Sequence, residues 1–143
     1  MTPVLLSGVS SDSHTWNLVY LQLLLEEAGF AVTNLGACVP DALLTGTAAR
    51  LLPAAIVISS VNGHGHLDGA RLIRRIRADD RIGRLPAVIG GKLGITGDDR
   101  PYVAPLLAAG FDRVFPQGST VADLPAVLAG LAARAGHGLA RAA

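Results

Sequence analysis

The sequence predicts a doubly wound α/β domain built on a five-stranded parallel sheet. Three observations carry this prediction. Strand-like and helix-like segments alternate strictly along the 143 residues, the signature of successive β-α-β crossovers. The strand-like segments are continuous apolar runs such as Ile56-Val57-Ile58, which suit a sheet covered by helices on both faces. Half of the residues are hydrophobic and only 4% are aromatic, so Val, Leu, Ile and Ala must fill the core.

The elements follow in order. Residues 4–9 read as a first strand. In 18–28, Leu18, Tyr20, Leu21, Leu24 and Leu25 recur at helical spacing, with Glu26-Glu27 toward solvent and Gly29 as a stop. Residues 30–35 form a second strand, ended by Gly36. Pro40 opens a short helix over 41–51. Residues 54–60 make a third strand, buried on both faces. Residues 67–77 are amphipathic, with Leu67, Ala70, Ile73 and Ile76 inward and four Arg outward. A fourth strand spans 85–89, a helix 102–109 stopped by Gly110, and a fifth strand 113–115. The last helix covers 121–133, with Thr120 as its expected N-cap. The order 2-1-3-4-5 makes this a flavodoxin-like, Rossmann-type fold. One domain is expected over 1–131, with an Ala-, Gly- and Arg-rich flexible tail at 132–143.

Composition narrows the function classes. Net charge is +1, and Arg is spread along helices, so neither a nucleic-acid nor a membrane footprint is expected. The single cysteine, Cys38, rules out an intramolecular disulfide and reads as an ordinary buried small residue. Met1-Thr2-Pro3 has no basic n-region, and no apolar run is long enough to span a bilayer. A cytoplasmic protein is the simple reading.

Three motifs stand at successive strand ends. Ser11-Asp12-Ser13-His14 follows the first strand. An Asp two residues before a His can take one ring N–H, fix the tautomer and present the other nitrogen to a metal; equally, Asp12 or Ser13 could cap the first helix. Ser59-Ser60-Val61 ends the third strand, where turn chemistry is the ordinary alternative. Gly90-Gly91-Lys92-Leu93-Gly94 ends the fourth, and a glycine pair alone says little. In the 2-1-3-4-5 order the first two motifs border the switch point, where ligands bind beyond the carboxyl ends of the strands. Gly63-His64-Gly65-His66 could suggest a metal site, but no Cys or carboxylate cluster accompanies it, so it reads as a solvated loop. Trp16 and Tyr20 read as packing residues.

Together these motifs resemble the Asp-x-His-x-x-Gly, Ser-x-Leu and Gly-Gly signatures of cobalamin-binding domains. More narrowly, the chain resembles the small cobalamin-binding subunit of methylaspartate (glutamate) mutase. The likeness runs from the first strand to about Leu124, through Ala28-Gly29-Phe30, Asn34-Leu35-Gly36, Val57-Ile58-Ser59-Ser60, Gly63-His64-Gly65 and Gly110-Phe111-Asp112-Arg113-Val114-Phe115. The resemblance implies adenosylcobalamin as cofactor, bound base-off, with His14 as axial ligand to cobalt in place of the displaced dimethylbenzimidazole. It implies a narrow slot for the displaced nucleotide tail. Ser11, Asp12, Ser13, Thr15 and Asn17 would stand at its first edge. Ser59 or Ser60 would bond the benzimidazole nitrogen, with Val61 and Gly63 nearby. Gly90 and Gly91 would flank the tail, and Lys92, Leu93, Gly94, Ile95 and Thr96 would give backbone contacts. Pro116 and Gly118 would close the far side.

The resemblance also implies a partner: a large barrel-type subunit, two of each in a heterotetramer, which holds the small-molecule amino-acid substrate. The implied reaction is the radical rearrangement of L-glutamate to L-threo-3-methylaspartate. No catalytic residue beyond cofactor ligation is expected in this chain, and His64 and His66 are candidates for the partner contact. Three positions depart from the pattern: Asn17 for the motif Gly, Val61 for the motif Leu, and Lys92 for a smaller polar residue. Competing readings are a free-standing cobalamin carrier or sensor, a receiver-type signalling domain and a non-catalytic scaffold. The receiver reading would want an Asp at the end of the third strand, where Ser59-Ser60 stand.

Overall fold

A computed structural model describes the backbone of residues 1–142 and the side chains of 1–136. Five parallel strands form one sheet in the order β2-β1-β3-β4-β5. They are β1 (Thr2–Gly8), β2 (Phe30–Asn34), β3 (Ala55–Ser60), β4 (Ala87–Gly91) and β5 (Arg113–Phe115). The helices are α1 (Trp16–Glu27), α2 (Asp41–Leu51), α3 (Gly65–Ala78), α4 (Arg100–Ala109) and α5 (Leu124–Ala142). This is the expected fold, in the expected strand order. The expected tail, 132–143, begins within the backbone of α5, and the side chains from 137 lie outside the described residues.

The core divides by the period of two along each strand. Leu5, Ile56, Ile58 and Ile89 pack with Leu44 of α2, Leu72, Ile73 and Ile76 of α3 and Leu106 of α4. Val4, Leu6, Val57 and Val88 pack on the other face against Leu18 and Leu25 of α1 and Leu124 and Leu128 of α5. Every residue of β3 is buried, as its unbroken apolar run requires. At the carboxyl edge the register aligns Gly8, Ser59, Gly90 and Phe115 across four strands. By alternation this row faces α1 and α5.

Several expectations are corrected. Leu67 is 62% exposed; Leu72 takes the inward position, because α3 starts two residues earlier than its apolar pattern suggests. Of the four Arg read as outward, Arg77 turns back to the chain, donating to the carbonyls of Gly83, Leu85 and Gly110 at 2.6–3.1 Å. Cys38 is exposed and has φ of 51°. Its N–H donates to the carbonyl of Asp12 at 2.8 Å, which holds it in the loop rather than the core. Trp16 is 83% exposed and Tyr20 is also exposed, so neither fills the core. Thr120 precedes a 3-10 turn, Val121–Asp123, and makes no side-chain cap bond.

Candidate functional site

β1 delivers the Ser11–His14 loop to the carboxyl edge of the sheet. Asp12 is 1% exposed, and its carboxylate is fully committed. Oδ1 accepts from the ring Nδ1–H of His14 at 2.6 Å and from the His14 backbone N–H at 3.0 Å. Oδ2 accepts from the Val61 N–H at 2.7 Å. Burial acts to raise the Asp12 pKa; the N–H groups of Val61 and His14 and then the His14 ring outweigh it and hold the carboxylate below its ordinary value. The helix-cap reading of this residue fails, since α1 begins after Thr15 without any side-chain cap. The His14 side chain is 59% exposed. With Nδ1 held by Asp12, Nε2 is the nitrogen left for a ligand.

A polar chain braces the same loop from the α2–α3 side. Asn62 donates to Ser11 Oγ at 3.0 Å, and Ser11 donates to Asp68. Arg71 donates to Asp68 at 2.8 Å, to both oxygens of Asp41 at 2.8 and 3.2 Å, and to Ser10 Oγ at 2.9 Å. Burial acts to raise the Asp68 pKa, and the bonds from Ser11 and Arg71 reverse it to a net lowering. Sequence reasoning missed this network, because its members lie on four separate segments.

Beside the loop, between the sheet edge and the α1–α5 side, lies a cavity of about 450 Å³. That is within the ~300–1,000 Å³ of typical small-molecule sites. Among the predicted site residues, Asn17, Ser59, Val61, Gly90, Gly91, Lys92, Pro116 and Gly118 line it. Tyr20, Leu21, Phe115, Gln117 and Val121 line it too and were not foreseen. Ser59 faces the cavity, whereas Ser60 points to the opposite side of the sheet, toward Asn62 and Gly65. Gly63, Leu93, Gly94, Ile95 and Thr96 lie outside the cavity wall, in the surrounding loops. Gly63 and Lys92 join those loops through an N–H to carbonyl bond of 3.2 Å.

The two glycines of β4 answer to the protein's own packing. A Cβ on Gly90 would lie 2.9 Å from Phe115 Cβ, and one on Gly91, where φ is +117°, would lie 2.2 Å from Ser60 O. Asn17 donates to Ser59 Oγ at 2.7 Å. Its Oδ1 is buried without a partner, alone in this among the described side chains.

Asp99 joins the two loops at the far side of the cavity. It is buried, and its carboxylate accepts from the N–H groups of Leu93 at 3.0 Å, Gly94 at 3.1 Å and Gln117 at 2.9 Å. Sequence reading finds only a helix start here, in Asp99-Arg100-Pro101. The carboxylate makes no cap bond; it turns inward to the loops instead.

His64 and His66 do not form a metal centre. Among the described residues no group of three or more His, Cys, Asp or Glu side chains stands together. His64 precedes α3, and His66 lies in its first turn, where it bonds the Leu93 carbonyl at 2.7 Å and stacks on Tyr102 with ring centroids 4.3 Å apart.

Comparison with known proteins decides the family. The glutamate mutase sigma subunit of Carboxydothermus hydrogenoformans is 31% identical over 117 residues, covering 81% of this chain and 85% of that one. The chain belongs to the glutamate mutase sigma subunit family. The sigma subunit of Halobacterium salinarum is 34% identical over 113 residues, covering 78% of this chain and 74% of that one. No family model matches the chain. Among solved structures, a cobalamin-binding protein from Desulfitobacterium hafniense superposes with a TM-score of 0.72 at 19% identity, covering 91% of this chain and 58% of that protein. A Francisella response-regulator receiver domain superposes with a TM-score of 0.70, also at 19% identity, over 94% of this chain and 98% of that one. The sigma-subunit fold is thus shared with receivers, and the sequence relatives rather than the fold assign the family. Among the described residues of this sigma-family chain, no helix is long and apolar enough to cross a membrane.

Proposed function

We propose that the chain is the cofactor-carrying subunit of a glutamate mutase, holding adenosylcobalamin base-off with His14 as the axial ligand to cobalt. The observation that carries this reading is the Asp12–His14 pair. A buried carboxylate fixes the ring through Nδ1 and leaves Nε2 at an exposed edge, next to a cavity whose wall includes Val61, itself bonded to that carboxylate.

The chemistry of the donor set fits this cofactor. A bare ion needs three or four protein ligands, and none converge with His14. A cobalt ion already held in a macrocycle needs one protein ligand, which one imidazole supplies. The cavity suits a nucleotide tail in size. Its wall is largely apolar, with a polar group at Ser59 and Asn17 that needs a partner.

When bound, the cofactor supplies a cobalt–carbon bond whose homolysis starts radical chemistry. The chain's own residues bind and orient. Asp12 holds the His14 tautomer and raises the basicity of Nε2. Ser59 offers its hydroxyl proton to the base at the inner wall of the slot. The loops at Gly91–Lys92 and Pro116–Gly118, tied together by Asp99, form the opposite wall. The described residues hold no clustered Arg and carboxylate set at the cavity with which to clamp both ends of an amino acid. We assign that task to a large barrel-type partner subunit, in a complex of two small and two large chains that converts L-glutamate to L-threo-3-methylaspartate.

The test is reconstitution. This chain, a glutamate mutase large subunit, adenosylcobalamin and L-glutamate should together form methylaspartate, and omission of either protein should abolish the product. Turnover by the large subunit and cofactor without this chain would overturn the assignment.

A further inference from the structure

Asn17 stands where the related motif has glycine, and its amide changes what the cavity can recognise. The Asn17–Ser59 bond of 2.7 Å consumes one donor and one acceptor. With the amide nitrogen donating, the Asn17 oxygen is left as an acceptor and the Ser59 hydroxyl as a donor. With the amide turned over, the Ser59 hydroxyl donates to the Asn17 oxygen. The amide N–H groups are then left as donors and Ser59 Oγ as an acceptor. In either orientation the pair presents one acceptor and at least one donor to the cavity it lines.

A benzimidazole attached to its ribose through one nitrogen offers a single acceptor on the other. It satisfies the donor of the pair and leaves the acceptor unpaired. An aminopurine offers a ring nitrogen beside an exocyclic amino group, an acceptor and a donor on one edge. It is the kind of edge that an Asn side chain pairs with two hydrogen bonds elsewhere. We infer that the Asn17–Ser59 pair is a specificity device for the cofactor's lower base, favouring a cobamide that carries an aminopurine over one that carries dimethylbenzimidazole. This inference rests on the cobalamin-binding reading above and concerns the tail slot alone.

The test measures dissociation constants by equilibrium dialysis for the full chain and its Asn17→Gly variant. The probes are cobalamin and the corresponding adenine-based cobamide, followed by corrin absorbance. The two bases differ in how readily they leave cobalt, but that difference is the same for both proteins and cancels in the ratio of ratios. The preference for the adenine-based probe should fall at least about fivefold in the variant, the equivalent of one unmade buried hydrogen bond of about 1 kcal/mol.

Asn17→Ala, which favours the helix more than Gly, should show the same fall and guards against a fold defect in the Gly variant. An unchanged ratio in both variants overturns the inference while leaving the cobalamin reading intact. Failure of wild type to bind either probe overturns both.

Discussion

Replacing Asp12 by Asn separates this account from one in which the carboxylate merely sits near a histidine. The native side chain accepts three hydrogen bonds, two at Oδ1 from His14 and one at Oδ2 from Val61. An amide has one oxygen. If that oxygen keeps the His14 bonds, an NH₂ group faces the Val61 N–H, and two donors are left unpaired in a buried site. Each such group costs about 1–3 kcal/mol, so allowing for relaxation toward solvent the variant should lose about 2–4 kcal/mol. That corresponds to a fall in Tm of about 5–15 °C for a domain of this size. Cofactor affinity should fall roughly 10–100-fold, the range for losing an outer partner of a ligating histidine.

His14→Ala is the contrast. The ring is more than half exposed and its pairing with Asp12 is at the surface, so it contributes about 1 kcal/mol or less to stability. Binding should nevertheless be largely lost. Thermal melts and spectroscopic titrations on the two variants check both arms. An Asp12→Asn protein within about 0.5 kcal/mol of wild type would refute the role of the carboxylate as a clamp between the two loops.

Other outcomes follow from the same geometry. Asp99→Ala leaves the N–H groups of Leu93, Gly94 and Gln117 without acceptors, so it should cost about 3 kcal/mol or more in urea unfolding. Gly91→Ala forces a Cβ to 2.2 Å from a backbone oxygen at positive φ and should abolish folding. Gly118→Ala, at positive φ with nothing within 4 Å, should cost only the backbone strain of about 1–2 kcal/mol; similar melts for the two would contradict the packing described. Asp68 has its pKa lowered in the fold. Its contribution is therefore present above its ordinary value of 3.8 and lost as pH falls through the lower folded value. The stability gap between wild type and Asp68→Asn, read by urea unfolding, should be open at neutral pH and close below that value.

The fold was legible because β3 and β1 are unbroken apolar runs and each helix ends at a signal such as Gly29 or Gly110. The position of the site was legible too, since strand order alone puts Asp12 and Ser59 on one edge. The cavity's outer wall was not. Tyr20, Gln117 and Val121 reach it only through the way α1 and the turn before α5 settle on the sheet, which no local pattern encodes. Asp99 was hidden because an Asp before Arg-Pro reads as a helix start, and only the fold shows which way its carboxylate turns. Leu67 misled by falling on the helical period one turn too early, in a stretch where Gly65 and Gly69 make the close contacts.

The central claim is that His14 ligates cobalt, and electron paramagnetic resonance tests it directly. The chain is loaded with cob(II)alamin after growth on nitrogen-15 histidine. The account predicts that the cobalt hyperfine lines, split as triplets by ordinary nitrogen, become doublets in the labelled protein, and that His14→Ala loses this splitting. Triplets that persist unchanged in the labelled protein would show that the cofactor's own base remains on the metal, and would contradict the account.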